Sequence, residues 1–285
     1  MRYCFLRYPG GKFKAVTLSY DDGVRADLRL AALLDSCGMK GTFNINSGFF
    51  GGAGKMTPEE IQNSILAKGH EVAVHGENHI APGVARPAAV IADILNCRQT
   101  LETMFDTIIR GMAYPDSGIL RMHNGNSYES IRSYVKELDI VYARALRGDN
   151  NAFMLPEDLL AWMPTAHHNN PLLKSYVQEF TELKEENTRS ANRYPRLFYL
   201  WGHSYEFDND DNWDVIEDFC ASISNRDDTW YATNMEIAEY MRAYRSLVTS
   251  ADGKRVYNPS LQTVWMDVDG KSVSIPSGAT VRIAD

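Results

Sequence analysis

Two groups of side chains in this sequence have types and spacing suited to holding a cation. Asp21-Asp22-Gly23 follows an apolar run and presents two adjacent carboxylates, which extended backbone points to different sides. His75 and His79 are four residues apart, so in a helical turn their imidazoles share one face and can share an ion. Two imidazoles and one carboxylate leave a coordination position open for water. This pattern indicates metal-assisted hydrolysis.

Two later segments also carry polar or aromatic residues just after apolar runs. They are residues 110–115 (Arg-Gly-Met-Ala-Tyr-Pro) and residues 200–206 (Leu-Trp-Gly-His-Ser-Tyr-Glu). Each motif alone has an ordinary explanation, since Asp-Asp-Gly is typical of turns and a single His usually makes a hydrogen bond. In a barrel of parallel strands, however, reactive groups sit where strands end. Four such segments, each at a predicted strand end, therefore indicate one site.

The elements that would position these groups follow from periodicity. Short β-branched or aromatic runs alternate with helical patterns over the first 240 residues, which predicts parallel βα units. The predicted strands are Ala15–Ser19, Thr42–Ile45, Glu71–Val74, Ile108–Tyr114, Ile140–Ala143, Leu159–Met163 and Leu197–Trp201. The expected fold is α/β, a distorted (β/α)7-type barrel of parallel strands.

The last part of the chain has a different pattern. After a helical pattern from Met235 to Leu247, turn signals at residues 251–253 and 269–270 flank short alternating runs. We therefore expect two parts: a barrel over residues 1–248 and a small β appendage over residues 249–285.

Charge and hydropathy exclude several classes of partner. The net charge of −8 repels phosphate backbones and anionic lipid headgroups, which argues against nucleic acid and membrane surfaces. No apolar run approaches the about 20 residues that a membrane span requires. The opening residues do not form a secretory signal, so the expected location is the cytoplasm, although a secreted form whose signal has been removed would also fit. The oligomeric state is open.

With these motifs in place, residues 12–240 resemble the polysaccharide deacetylase family, also known as the NodB homology domain or carbohydrate esterase family 4. The first family motif, a hydrophobic strand ending in Asp-Asp-Gly, matches residues 17–23. The second, His-Ser/Thr-x-x-His, matches His75 and His79, with Gly76 in the hydroxyl position. The resemblance implies that Asp22, His75 and His79 bind a metal and that Asp21 is the general base.

The third and fourth family motifs are weaker here, so the chain resembles a divergent member. The family's third motif has an Arg two residues before a Pro, where this chain has Ala113. Either Arg110 substitutes for that Arg in orienting Asp21, or the role is absent. The backbone N–H of Asp116 is expected to help hold the oxyanion. Arg144 and Trp162 are candidate occupants of the region of the family's Asp-and-Trp motif.

The final family motif, Leu-x-His, maps onto Trp201-Gly202-His203, which implies that Trp201 lines the pocket and His203 is the general acid. Tyr114 and Trp162 are further candidates for stacking on a sugar ring. His167 and His168 are expected to be ordinary surface or capping residues.

The implied activity is removal of acetyl groups from an N-acetylated sugar or polysaccharide, with metal-bound water as the nucleophile. The implied cofactor is a divalent metal, with zinc as the default and cobalt, nickel or manganese as alternatives. Two other functions stay open. One is cleavage of O-acetyl esters of carbohydrates, and the other is carbohydrate binding without catalysis on a degenerate barrel.

Overall fold

A curled parallel sheet forms the centre of the protein in the computed structural model, which describes residues 3–284. The strands in chain order are β1 (Cys4–Arg7), β2 (Lys14–Asp21), β3 (Thr42–Ile45), β4 (Glu71–Val74), β5 (Gly111–Ala113), β6 (Tyr142–Arg144), β7 (Ala166–His167), β8 (Arg196–Gly202), β9 (Thr229–Tyr231), β10 (Val248–Thr249), β11 (Arg255–Tyr257), β12 (Val264–Val268), β13 (Lys271–Ile275) and β14 (Thr280–Arg282). The α-helices are α1 (Ala26–Ser36), α2 (Pro58–Ser64), α3 (Pro87–Phe105), α4 (Tyr128–Glu137), α5 (Leu173–Glu182), α6 (Tyr205–Asn209), α7 (Trp213–Ile223) and α8 (Asn234–Arg245).

The central sheet has the strand order β6-β5-β4-β3-β2-β8-β7, and β9 pairs with the first half of β2. All these pairings are parallel, as the alternation of strands and helices predicts. The expected distorted barrel of parallel strands, with an additional β region at the C-terminus, is confirmed. The carboxyl ends of its strands therefore meet at one end of the barrel, where most of the candidate residues lie.

The core lies on both faces of β2, whose eight residues are all buried. Val16 and Leu18 pack in the cluster that the flanking helices cover, whereas Ala15 belongs to a second cluster. Helix α3 buries the stripe predicted from its spacing: Val90, Ile94, Cys97, Leu101 and Phe105. Because β2 is buried on both sides, its polar side chains need partners: Thr17 donates to Asn234, and Ser19 accepts from Asn44.

The expected strand Leu159–Met163 is wrong. Leu159–Ala161 is a single 3-10 turn, which Asp158 caps by accepting the backbone N–H of Leu160. The backbone of Trp162 then pairs with β6 through hydrogen bonds to Ala143 and Ala145, and β7 begins at Ala166. The segment thus joins the two ends of the curled sheet, but with too few ladder hydrogen bonds for a regular strand.

The first strand of the chain belongs to a different sheet from the barrel. β1 pairs antiparallel with β12, which pairs with β13, while β10, β11 and β14 form another small sheet. A strand from the N-terminus is therefore part of the C-terminal β region. The division at residue 248 remains a prediction, and residues on both sides of it share one sheet.

None of the described helices is long and apolar enough to cross a membrane.

Candidate active site

The carboxyl ends of β2 and β4 bring the first two motifs together. Nε2 of His75 lies 3.7 Å from Oδ1 of Asp22, and Nε2 of His79 lies 3.7 Å from the same oxygen. Asp22 and His79 have positive φ angles of 78° and 58°, so both lie just past their strands in left-handed turns. The two turns, which are far apart in sequence, therefore face each other.

This donor set fits a divalent cation. One ligand atom from each of Asp22, His75 and His79 lies within 4.8 Å of the others. Tetrahedral zinc with bonds of about 2.0–2.1 Å separates its ligands by about 3.4 Å, close to the distances found here. Nδ1 of His75 lies 2.9 Å from the carbonyl oxygen of Ala113. Because that oxygen can only accept a hydrogen bond, Nδ1 carries the hydrogen, and Nε2 of the neutral ring keeps a free lone pair. The orientation of His75 is thus the one that a metal ligand requires.

Asp21 lies beside this cluster but has a different set of partners. Its Oδ1 accepts a hydrogen bond from Asn44 at 2.8 Å, and its Oδ2 accepts one from Arg144. Burial alone would raise the pKa of Asp21, but Arg144, two nearby histidines and Asn44 outweigh it, so the pKa lies below its usual range. Asp21 is therefore an ionised carboxylate 3.7 Å from Nε2 of His75, with the charge a proton acceptor needs.

The expected role of Arg110 in orienting Asp21 is wrong. Arg110 precedes β5, so it lies at the opposite end of the barrel, where its guanidinium bonds the side chain of Asp139 at 2.7 Å. Arg144 is the last residue of β6, is 1% exposed, and contacts Asp21 directly. The arginine comes from the next strand because the carboxyl end of β6 lies at the site and the start of β5 does not.

His203 faces Asp21 from the loop after β8, with its Nε2 3.9 Å from Oδ2 of Asp21. Its Nδ1 lies 3.2 Å from Oε1 of Glu206, and because an ionised carboxylate only accepts, Nδ1 carries a proton. Burial lowers the pKa of His203, but Glu206 together with Asp21 and Asp22 outweighs it, so the net pKa is raised. The protonated imidazole therefore persists to higher pH than usual.

Two residues expected to be ordinary surface or capping groups belong to this cluster instead. Nε2 of His167 lies 3.1 Å from Oε2 of Glu206, and Nε2 of His168 lies 2.9 Å from the same oxygen. His168 is 1% exposed. Burial raises the pKa of Glu206, but the three imidazoles around it have the larger effect and lower it well below its usual range. Glu206 and its neighbours in space were missed because nothing in the sequence brings residues 167 and 206 together.

The aromatic candidates divide into buried and accessible groups. Tyr114 is 2% exposed and donates its hydroxyl to Leu160, and Trp162 is 0% exposed, so neither contacts a bound sugar, contrary to expectation. Trp201 is half-buried, and the Arg144 guanidinium lies 4.4 Å from its ring centroid. Asp116 is exposed just past β5 with a φ of 51°. Trp201 and Asp116 thus stay candidates for contacting substrate.

A buried carboxyl group joins the turn after β2 to the loop that carries His203. Asp27, in the first turn of α1, accepts the backbone N–H of Val24 at 3.1 Å and the hydroxyl of Ser204 at 2.6 Å. Burial raises the pKa of Asp27 to about 8. This contact ties the loop of His203 to the turn that carries Asp21 and Asp22.

Comparisons with known proteins show what the chain and its fold are similar to. Residues 7–142 match a family model described as polysaccharide deacetylase. A probable polysaccharide deacetylase from Pseudomonas aeruginosa PAO1 has 16% identity and a TM-score of 0.59, over 84% of this chain and 93% of that chain. PuuE allantoinase has 13% identity and a TM-score of 0.58, over 81% of this chain and 91% of that chain.

Such identities show a shared fold, and no curated protein matches the chain. The family model spans β2, β4 and the motifs that carry the candidate cation ligands. This part of the chain, residues 7–142, is thus similar to the polysaccharide deacetylase family.

Proposed function

We propose that this protein is a divalent-metal-dependent hydrolase that removes acetyl groups from an N-acetylated sugar or polysaccharide. One observation carries the proposal: Asp22, His75 and His79 converge on one point, with Asp21 and His203 beside it. The family supports deacetylation in general. The metal and the roles of individual residues belong to the proposal.

Amide hydrolysis needs a stronger nucleophile than water and stabilisation of the charge that develops on oxygen. A cation held by Asp22, His75 and His79 would polarise the carbonyl group and lower the pKa of water toward about 7. Asp21 accepts the proton of the attacking water, since Arg144 and Asn44 keep it ionised and oriented. The ligand histidines and the proton acceptor are thus separate residues.

The leaving amine also needs a proton, and His203 is placed to supply it. Its Nδ1–H is directed at Glu206, which leaves Nε2 facing Asp21 across the site. Because the pKa of His203 is raised, the imidazolium is available near neutral pH. Trp201, half-buried beside Arg144, would line the acetyl pocket, and the N–H of Asp116 would contribute to holding the oxyanion.

The test combines metal analysis with acetate release. Purified protein would be analysed for bound metal and assayed on N-acetylglucosamine oligomers and on O-acetylated xylan, before and after chelation and zinc addition. We expect metal-dependent acetate release, with the N-acetylated substrate preferred. Preference for xylan would establish the O-acetyl esterase function instead. A metal-free protein that binds these sugars without releasing acetate would establish the binding protein.

The variant Asp21→Asn separates the proton acceptor from the ligands. We expect it to retain the metal but to lose at least about 100-fold in kcat, since acid–base groups typically contribute 10²–10⁴. Asp22→Asn serves as the matched comparison and should lose metal together with activity. Equal loss of metal in both variants would place Asp21 in the ligand set.

A further inference from the structure

The loop that carries His79 is held by a buried carboxylate from a different element. Asp93, in the second turn of α3, is 3% exposed. Its Oδ1 accepts the backbone N–H of Asn78 at 2.6 Å, and its Oδ2 lies 3.4 Å from the N–H of Ile80. Its carbonyl oxygen accepts the N–H of Glu77 at 3.0 Å. Asp93 thus binds the backbone on both sides of His79.

Gly76 makes room for this carboxylate. A Cβ atom at position 76 would lie 2.2 Å from Oδ2 of Asp93, and the residue has a φ of 77°. Both the contact and the conformation exclude a larger residue without rearrangement. The position where the family has a hydroxyl residue is therefore occupied in space by the side chain of Asp93.

His79 itself has little else to hold it in place. Its φ of 58° is unusual for a residue with a side chain, and that side chain is 32% exposed. Within residues 3–284 its imidazole makes no hydrogen bond, and its neighbours are Oδ1 of Asp22 at 3.7 Å and the ring of His75 at a centroid distance of 4.9 Å. The direction of the imidazole therefore depends on the backbone conformation of residues 77–80.

We propose that Asp93 is the positioning residue that directs His79 toward the cation and so sets the metal affinity of the site. This inference rests on the proposed metal site. Asp93 does not touch the ion or the substrate. It acts by fixing the strained backbone at His79, a contribution of the kind made by outer-shell residues of metal sites, whose loss costs about 10–100-fold in affinity.

The test is a thermodynamic cycle on zinc affinity. Zinc binding would be measured by competition with a chromophoric chelator for the wild type, Asp93→Asn, His79→Ala and the double variant. We expect Asp93→Asn to weaken binding by about 10–100-fold in the wild-type background and to have no further effect once His79 is absent. An equal loss in both backgrounds would overturn the proposal, because the effect would then not pass through His79.

Two further variants control for charge and for helix stability. Asp93→Glu keeps the charge but displaces the oxygens, so it should also weaken zinc binding. Glu102→Gln changes another carboxylate of α3, which accepts the backbone N–H of Ile109 at 2.9 Å and lies far along the sequence from the site. This variant should leave zinc affinity unchanged. In metal-free protein, hydrogen exchange at Asn78 and Ile80 should become faster in Asp93→Asn and not in Glu102→Gln.

The outcomes separate the two proposals. Zinc binding by the wild type with unchanged affinity in Asp93→Asn would contradict the positioning role alone. Failure of the wild type to bind zinc or any other divalent metal would overturn the metal site, and with it this inference. If Asp93→Asn does not fold, Asp93→Glu is used in the same cycle with His79→Ala.

Discussion

At the scale of single residues, the clearest feature of the site is the arginine that contacts Asp21. A guanidinium beside a buried carboxylate both orients it and keeps it ionised, and Arg144 does so from the end of β6. Trp201 lies against the same guanidinium. An arginine 34 positions earlier in the chain, Arg110, has the right residue type but lies at the wrong end of the barrel.

The two arginines give a matched pair of variants. We expect Arg144→Gln to lower kcat/KM by at least about 10-fold, because the proposed proton acceptor loses its orienting partner. Without that cation the pKa of Asp21 rises, so the acidic limb of the pH profile moves to higher pH. Arg110→Gln should behave like the wild type in the same pH series. Similar losses in both variants would show that Arg144 has no special role.

Glu206 gives a second prediction, which concerns the alkaline limb of the pH profile of kcat/KM. The proposed general acid, His203, must be protonated to act, so activity is expected to fall as pH rises through its pKa, which Glu206 helps to raise. We therefore expect Glu206→Gln to move the alkaline limb of kcat/KM to lower pH. Glu217→Gln, which removes an exposed carboxylate paired with Arg29, should leave that limb in place. An unchanged limb in Glu206→Gln would remove His203 from the role of general acid.

At the scale of elements, the loops at the carboxyl ends of β2 and β8 are connected through the N-terminal turn of α1. Asp27 accepts hydrogen bonds from Val24 and Ser204 while fully buried. A carboxyl group in such a place prefers its neutral form, and its pKa is raised from 3.8 to about 8. The folded state therefore holds a proton that the unfolded chain releases at much lower pH.

This proton predicts how stability depends on pH. Because the folded pKa is raised, the stabilisation is complete below the unfolded pKa and is lost as pH rises through the window from 3.8 to about 8. The Asp27→Asn variant has no titrating group at this position, so it does not lose this stabilisation as pH rises. Its free energy of unfolding relative to the wild type should rise with pH, by at most about 1.4 kcal/mol per pH unit, in urea titrations at several pH values. A pH-independent difference between Asp27→Asn and the wild type would contradict the raised pKa of Asp27.

At the scale of the whole molecule, β1 near the N-terminus is bound to β12 of the C-terminal β region through a buried ion pair. Arg7, on β1, is 1% exposed and its guanidinium lies 3.0 Å from Asp267 of β12 and 2.7 Å from Glu185. The hydroxyl of Tyr240, on α8, donates to the carbonyl oxygen of Arg7 and accepts the N–H of Trp265. These contacts make the two ends of the chain one packed unit with the last helix.

The ion pair predicts a large effect on stability without a direct effect on chemistry. Asp267→Ala leaves a buried guanidinium with one partner fewer, so we expect a loss of about 3 kcal/mol in the free energy of unfolding. kcat of the folded fraction should not change. Asp252→Ala removes an exposed carboxylate of the same region and should have a much smaller effect on the free energy of unfolding. A small effect of Asp267→Ala in denaturant titration would show that β1 and β12 are held by other contacts.

Local sequence determined most of the parallel strands and identified the candidate cation ligands. Hydrophobic periodicity and turn residues indicate the strands, and adjacent carboxylates or histidines four residues apart indicate a candidate cation site through their spacing. Tertiary structure alone decided the partners that come from distant positions. Arg144 replaces Arg110, His167 and His168 surround Glu206, and Tyr114 and Trp162 turn inward to the core. The physical reason is that hydrophobic periodicity describes one helix or strand at a time. Contacts between strand ends depend instead on strand order, on the curl of the sheet and on which end of each strand a residue occupies.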